Sequence, residues 1–385
     1  MAINIDHWNQ EQSIPAIWRM PFRPFFLGIA LYSCFAVVLW VIQYVQGIQL
    51  IDFLWHLHEM IIGFAATTVV GFVLTAAQTW TGVRALHGNR LALLFAVWLA
   101  GRLLALFPVP YSVAGALFDG IFFGLAGLVV GRQIWLAKNW RNSFFIAIFF
   151  ILAVGSVVYA ACLWRNDLLW ARQLLMGAFF LIIHVVLVVG GRVIPFFTDR
   201  ALQRPATHKP QWLELAALLS SLIFLSVYYV SDGWLVRVAA GAVVLANGLR
   251  WLNWKPWDSR GSAILWSLHL AYGFVVLGFA FLALNLPYSA AMHLLAIGGF
   301  GLMILAMISR VSLGHSGRAL TLPPGFRWAY LAMVGAVVTR VLANLTEFYI
   351  ELLWLTAVLW CIGFGLFLVC YVPILLAPRV DGKPG

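Results

Sequence analysis

The sequence predicts an all-α, polytopic membrane protein with about twelve transmembrane helices, and three observations carry that expectation. Hydrophobic residues make up 63% of the 385 residues and charged residues only 10%, whereas soluble domains carry about 25% charged residues. Mean hydropathy is +0.95, more apolar surface than a soluble core of this size can hide. The apolar residues fall in continuous runs of about 20, the length a helix needs to cross the hydrocarbon. A transmembrane β-barrel would instead alternate apolar and polar residues over ~10-residue segments. Together these exclude a soluble enzyme, a disordered chain and a secreted disulfide scaffold.

Taken in order, the twelve runs lie at about 24–45, 54–79, 90–108, 113–133, 144–164, 172–192, 212–230, 234–251, 262–284, 289–310, 327–345 and 351–377. Each is bounded by Pro, Gly, Asn or charge, as in RALHGNR (84–90), RQIWLAKNWR (132–141) and RWLNWKPWDSR (250–260). Many of the 19 Trp stand near run ends, where indole prefers the membrane interface. The longest connections, about 192–211 and 311–326, are too short for a separate soluble domain. The predicted organisation is therefore a cytoplasmic segment 1–23, a single twelve-helix domain 24–377 and a cytoplasmic tail 378–385. The N-terminus, with Asp6, Glu11 and Pro15, lacks the positive-then-apolar pattern of a signal peptide. Cys34, Cys162, Cys361 and Cys370 all lie inside apolar runs, and neither CxxC nor CxxCH occurs. A disulfide framework and covalently attached haem are thus not expected.

The net charge of +11 and pI of 9.9 would suggest nucleic acid in a soluble protein. Here they reflect the Lys and Arg that gather in cytoplasmic loops, and no nucleic-acid partner is expected. With both termini inside, 19 of the 24 Lys and Arg fall on the cytoplasmic side and three (Arg165, Arg172, Arg237) on the other. Arg102 and Arg340 remain within helices. At 1.5 Å per residue, His56, His58, Glu59 and His293 then lie towards the outer surface, as do Arg102, Asp119 and Arg340. His184 and His269 lie near mid-membrane, and His315 follows the tenth helix on the inner side. An internal echo is visible: His58-EMII-Gly63 in the second helix and His293-LLAI-Gly298 in the tenth. The sixth and tenth helices both end in Arg-Val. The pattern suggests pseudo-threefold repeats of four helices.

WHLHEM (55–60) is the strongest local signal, because ionisable groups inside a bilayer face partners or cavities. On a helix, His56 and His58 point about 200° apart and cannot share a metal; on an extended segment they could chelate together. His56 shares a helical face with Glu59, which would let that carboxylate orient its ring. The alternative is a wet helix end with interfacial His and Glu. Histidine is the usual haem-iron ligand and a good copper ligand, and axial ligation needs one imidazole per face, so His58, His269 and His293 on three helices are candidates. His184, among Ile and Val, reads as structural; His7, His87 and His208 in polar segments carry no signal. Arg102 and Arg340 stay charged and need anions. Asp119 can serve one; two haem propionates would serve both. GGRVIPFFTDR (190–200) and SRVSLGHSGR (309–318) read as capped helix ends, with Pro195 stopping its helix, or as a proton or anion site that includes His315.

WHLHEMIIGF, GGRVIPFFT, the LHLAY around His269, MHLLAIGGFGLMILAMISR and VSLGHSGR, preceded by RPFFLG (23–28), together resemble the signature blocks of the NnrS family. The matches run in order from about residue 23 to 318 and weaken over the last two helices. The resemblance implies a bacterial cytoplasmic-membrane protein that binds non-covalent haem b and copper and takes part in nitric oxide metabolism or tolerance of nitrosative stress. Carried over by position, it implies His56, His58, His269, His293 and His315 as metal ligands, without saying which binds which metal. Arg102 and Arg340 are the candidate propionate partners and Glu59 the candidate proton-handling residue. The first reading is then a redox protein acting on nitric oxide or a related small gas, bound at a His-ligated haem in the outer half of the bilayer. Its electrons would come from quinol or an outer-side protein. The alternatives are a twelve-span secondary transporter using His269, Asp119 and Arg340, and a haem or metal delivery factor for respiratory enzymes.

Overall fold

The structure is a computed structural model that describes residues 13–48, 50–231 and 233–383; Asp6, His7 and Glu11 lie outside them. The described residues form helices and no strands. Twelve long helical runs follow the twelve apolar runs: α1 (Phe22–Gln46), α2 (Phe53–Thr81), α3 (Gly88–Leu104), α4 (Tyr111–Ala137), α5 (Phe144–Trp164), α6 (Leu168–Ala201), α7 (Gln211–Val230), α8 (Trp234–Asn253), α9 (Ala263–Ala283), α10 (Tyr288–His315), α11 (Arg327–Leu342) and α12 (Tyr349–Leu376). Ten are long and apolar enough to cross a membrane. The other two, α3 and α11, have 17 and 16 residues. The chain is thus a multi-pass, all-helical membrane protein.

Local chemistry explains the boundaries. Asp52 caps α2, its Oδ1 accepting from Trp55 N at 2.7 Å. α2 and α10 each contain a π-helical stretch, Glu59–Ala66 and Leu294–Leu302. Such wide turns are rare and are frequent at functional sites. In α2 the Thr67 hydroxyl reaches back five residues to Ile62 O at 3.0 Å, a partner for a carbonyl that the wider turn displaces. Each π stretch begins one residue after a histidine, His58 or His293. The sequence echo between α2 and α10 therefore has a backbone counterpart.

Two expectations about helix ends need correcting. Pro195 does not stop its helix; α6 continues through it to Ala201. Proline cannot donate to the carbonyl four residues back, which is Gly191 O, and Lys209 Nζ donates to that oxygen at 3.0 Å instead. The glycines of GGRVIPFFTDR thus lie inside a helix, not in a turn. His315 is the last residue of α10 rather than part of the following loop.

The chain divides into two compact units. The first holds residues 1–178, 308–321 and 367–385, and the second holds 179–307 and 322–366. In the first, α1 packs on α2 and α4 packs between α3 and α5. In the second, α7, α8 and α9 pack in succession, and α9 and α11 both contact the π stretch of α10.

Candidate functional site

The first unit contains a buried cluster of ionisable side chains drawn from α1 to α5. Arg102 on α3 is fully buried. Its Nη1 donates to Glu59 Oε2 at 2.6 Å and its Nη2 donates to Asp119 Oδ1 on α4. The Tyr32 hydroxyl on α1 donates to the same Glu59 oxygen. His58 Nδ1–H donates to Glu59 Oε1 at 2.7 Å, and His58 Nε2 lies 3.3 Å from Asp119 Oδ2. The imidazole stacks on Tyr159 of α5, with centroids 4.8 Å apart and planes at 9°. An isolated charge in this setting would be strongly unfavourable, so the cluster stands only because every charge meets its opposite.

Backbone shape makes the cluster fit. A Cβ on Gly63 would lie 2.4 Å from Arg102 Nη1 and 2.9 Å from Glu59 Oε2; only glycine lets the guanidinium lie against α2. Trp98 Nε1–H closes the same face by donating to Gly63 O at 3.1 Å. Neighbouring residues on an ordinary helix point about 100° apart and do not face one another. The π stretch that opens at Glu59 coincides with the direct His58–Glu59 contact. The expectation that Glu59 orients His56 is therefore corrected: Glu59 pairs with His58. His56 turns away and stacks on Trp40, with centroids 4.6 Å apart and planes at 11°. Phe53–His58 is helical, which removes the extended form in which the two histidines would chelate together. Arg102 realises the ion-pair alternative, paired with the carboxylates of Glu59 and Asp119.

The second unit brings His293 and Arg340 together. His293 Nδ1–H donates to Ser289 O at 2.7 Å. Arg340 Nη2 donates to the hydroxyls of Ser289 at 3.2 Å and Tyr349 at 3.4 Å, and its guanidinium carbon stands 5.4 Å from the Tyr349 ring centre. A carbonyl accepts only, so the Nδ1 hydrogen of a neutral His293 leaves the ring lone pair on Nε2.

His269 on α9 belongs to a different part of the same unit. The Thr198 hydroxyl donates to Ile194 O at 2.9 Å, and Thr198 Oγ1 lies 2.9 Å from His269 Nε2. With its own hydrogen committed, Thr198 accepts from His269 Nε2–H. The lone pair therefore falls on His269 Nδ1, which is buried and has no hydrogen-bond partner among the described residues. His184 is hydrogen-bonded to Ser221 at 2.8 Å, in line with its structural reading. In the first unit, the His315 ring stands against Phe22, with centroids 5.7 Å apart. Among the described residues no group of three or more His, Cys, Asp or Glu forms a site that could hold a metal ion.

Sequence reasoning missed a second ion cluster, buried at Arg250 and half-exposed at Glu214. Arg250 on α8 donates from Nε and Nη2 to Glu214 on α7, and from Nη1 to Leu187 O at 3.0 Å. Tyr272 OH, 3.5 Å from Arg250 Nη1, donates to Asn247 Oδ1 at 2.7 Å. A Cβ on Gly191 would lie 1.8 Å from Arg250 Nη2, which explains that glycine in the GGRV block. A signal was present: α7 and α8 are joined by a short turn, Glu214 lies near the start of the first and Arg250 near the end of the second. Antiparallel pairing puts the two at one level.

These features define a class: a polytopic helical membrane protein with buried ion clusters, π-distorted helices and histidines on α2, α9 and α10. The family is also shown. The NnrS family model, described as NnrS protein, matches residues 16–379, and the chain belongs to the NnrS family. No curated protein matches the sequence.

Proposed function

We propose that this NnrS-family protein is a haem-binding, redox-active protein of the bacterial cytoplasmic membrane that acts on nitric oxide or a related small gas. In this reading all twelve helices cross the membrane and both termini are cytoplasmic, as the Lys and Arg asymmetry favours. The pseudo-threefold repeat is part of the same proposal; what supports it is the match between α2 and α10.

The observation that carries the reading is the state of two imidazoles in the second unit. His293 has its hydrogen on Nδ1, fixed by a backbone carbonyl, the arrangement that commonly orients a metal-binding histidine through its other nitrogen. His269 holds a buried lone pair on Nδ1 with no hydrogen-bond partner among the described residues, a cost that a metal ion would remove. His293 would ligate the iron of a haem, and Arg340 beside it would neutralise one of its acid groups. His269 fits a second metal such as copper. His58 fits neither role, since both its ring nitrogens face carboxylates.

When bound, haem would supply an iron that takes up the diatomic gas and exchanges electrons with quinol or an outer-side protein. The protein's own residues orient the ligand ring through Ser289 O, neutralise acid groups through Arg340 and exclude water with the apolar faces of α9 and α10. The test is an absorption spectrum of the purified protein with metal analysis of the same sample. We expect a Soret band with dithionite-sensitive α and β bands, lost or shifted in His293→Ala and retained in His58→Ala. Copper should fall in His269→Ala. A colourless, metal-free preparation would overturn the reading in favour of the transporter; pigment without turnover of nitric oxide would favour the delivery factor.

A further inference from the structure

Three chain segments of the first unit converge at one end of the helices: the start of α1, the end of α10 with the turn after it, and the end of α12 with its tail. Arg23 is fully buried, and its Nη1 donates to Leu375 O and Ala377 O at 2.7 Å each. Arg379 Nη1 donates to His315 O at 2.9 Å, and Val380 N donates to Ser316 O at 3.2 Å. A Cβ on Gly317 would lie 2.8 Å from the Asp381 carboxyl, so the turn after α10 lies directly on the tail. Arg84 Nη2 adds the preceding segment by donating to Arg19 O at 3.4 Å.

The result is a concentration of one sign of charge. The Arg23 guanidinium is in electrostatic reach of Arg19, Arg318 and Arg379. Asp381 is the carboxylate bonded here, and Arg379 takes it through both Nε and Nη2. Arg318 Nη1 is buried and has no hydrogen-bond partner among the described residues. Like charges near one another repel, and a charged donor buried without an acceptor is unfavourable. An anion with several acceptor oxygens would remove both penalties, and planar guanidinium groups match phosphate oxygens in pairs.

We propose that this convergence is a binding site for the phosphate group of an anionic phospholipid. The ends of membrane-spanning helices lie at headgroup depth, where basic clusters attract anionic lipids. Leu320, Leu376 and Val380 are exposed beside the cluster and provide apolar surface for an acyl chain. A free phosphate would satisfy the same guanidinium groups without using that surface. The inference is independent of haem.

The experiment measures the apparent Tm of the purified protein in mild detergent. Dioleoyl phosphatidylglycerol, dioleoyl phosphatidylcholine and inorganic phosphate are added at equal phosphate concentration. The expected result is an upward shift with phosphatidylglycerol that the other two do not reproduce. Arg318→Gln should lose that specific shift, whereas Arg237→Gln, an exposed change in the second unit, should keep it. Arg379→Gln breaks the pair with Asp381 and the bond to His315 O, and gives a second reading if Arg318→Gln fails to fold. Equal shifts with the two lipids, or a full shift in both Arg318→Gln and Arg379→Gln, would overturn the site. An equal shift with inorganic phosphate would overturn the lipid as its source.

Discussion

The α2–α3 and α10–α11 regions share one backbone device and differ in what fills it. In both, a histidine precedes a π stretch by one residue and a glycine follows the histidine by five. In both, an arginine stands two residues before the last residue of the next helix, Arg102 before Leu104 and Arg340 before Leu342. The fillings then diverge. His58 is followed by Glu59, and Arg102 and the imidazole close upon Glu59 and Asp119. His293 is followed by Leu294, and its ring is held by a backbone carbonyl while Arg340 meets the hydroxyls of Ser289 and Tyr349. The first region neutralises itself, as a structural cluster must. The second holds its histidine through a neutral backbone carbonyl, the arrangement on which the proposed ligand role rests. One backbone device thus carries an ion cluster in one place and a neutral hydrogen-bonded histidine in the other, and the side chains decide which.

The sharpest way to break this comparison is to remove each arginine. Arg102→Leu leaves the buried carboxylates of Glu59 and Asp119 with His58 as their remaining ion-pair partner, and breaking a buried pair costs about 3–5 kcal/mol. We expect it to abolish the monodisperse peak in size-exclusion chromatography. Arg340→Leu should keep a folded peak and lower the haem-to-protein ratio. If the two variants lose folded protein equally, the division of labour is wrong.

The glycines give the next largest effect. Gly63→Ala drives a methyl into Arg102 and Glu59, where the ion-pair geometry has no room to yield. Gly298→Ala meets the Phe274 side chain, 2.5 Å from its Cβ, and overpacking of this kind costs typically 1–3 kcal/mol. Both should lower Tm, Gly63→Ala by more; the reverse order would show that the α2 cluster tolerates displacement. Gly191→Ala should resemble Gly63→Ala, since it displaces Arg250 from Glu214.

The smallest effect sharpens the contrast between buried and exposed pairs. The hydrogen bond from Arg379 holds the exposed Asp381 carboxyl below the usual Asp range. A depressed carboxylate contributes stability above its unfolded pKa and loses it as pH falls through the folded value. Between pH 7 and 5 the Tm difference between wild type and Asp381→Asn should therefore be small and flat, shrinking only in stronger acid. A steep change between pH 7 and 5 would contradict this assignment. Exposed pairs of this kind contribute little in any case.

Particular residues show how far the sequence could be read. Among the described residues the apolar runs located the twelve long helices, ten of them long and apolar enough to cross a membrane, because a bilayer imposes a length and a composition that few other settings require. WHLHEM was visible as a site, and Asp119 as a partner for an arginine. The choice of His58 over His56 for Glu59 was not visible, since the spacing argument assumes 3.6 residues per turn and the π stretch begins at that glutamate. Pro195 misled because its helix-breaking effect depends on whether another donor reaches the freed carbonyl, and Lys209, 14 residues further on, does so. The Arg250–Glu214 pair was missed because both residues looked like ordinary charged ends of adjacent helices.

By itself the sequence determined the class of fold, the number and order of the helices and the short list of ionisable residues within them. Hydrophobicity and length are properties of each segment alone, so they survive without knowledge of neighbours. Only the tertiary structure decided which of those ionisable groups neutralise one another and which are held by neutral groups. That outcome depends on separations of 2.5–3.5 Å between side chains far apart in the chain, and on where a helix widens to let them meet.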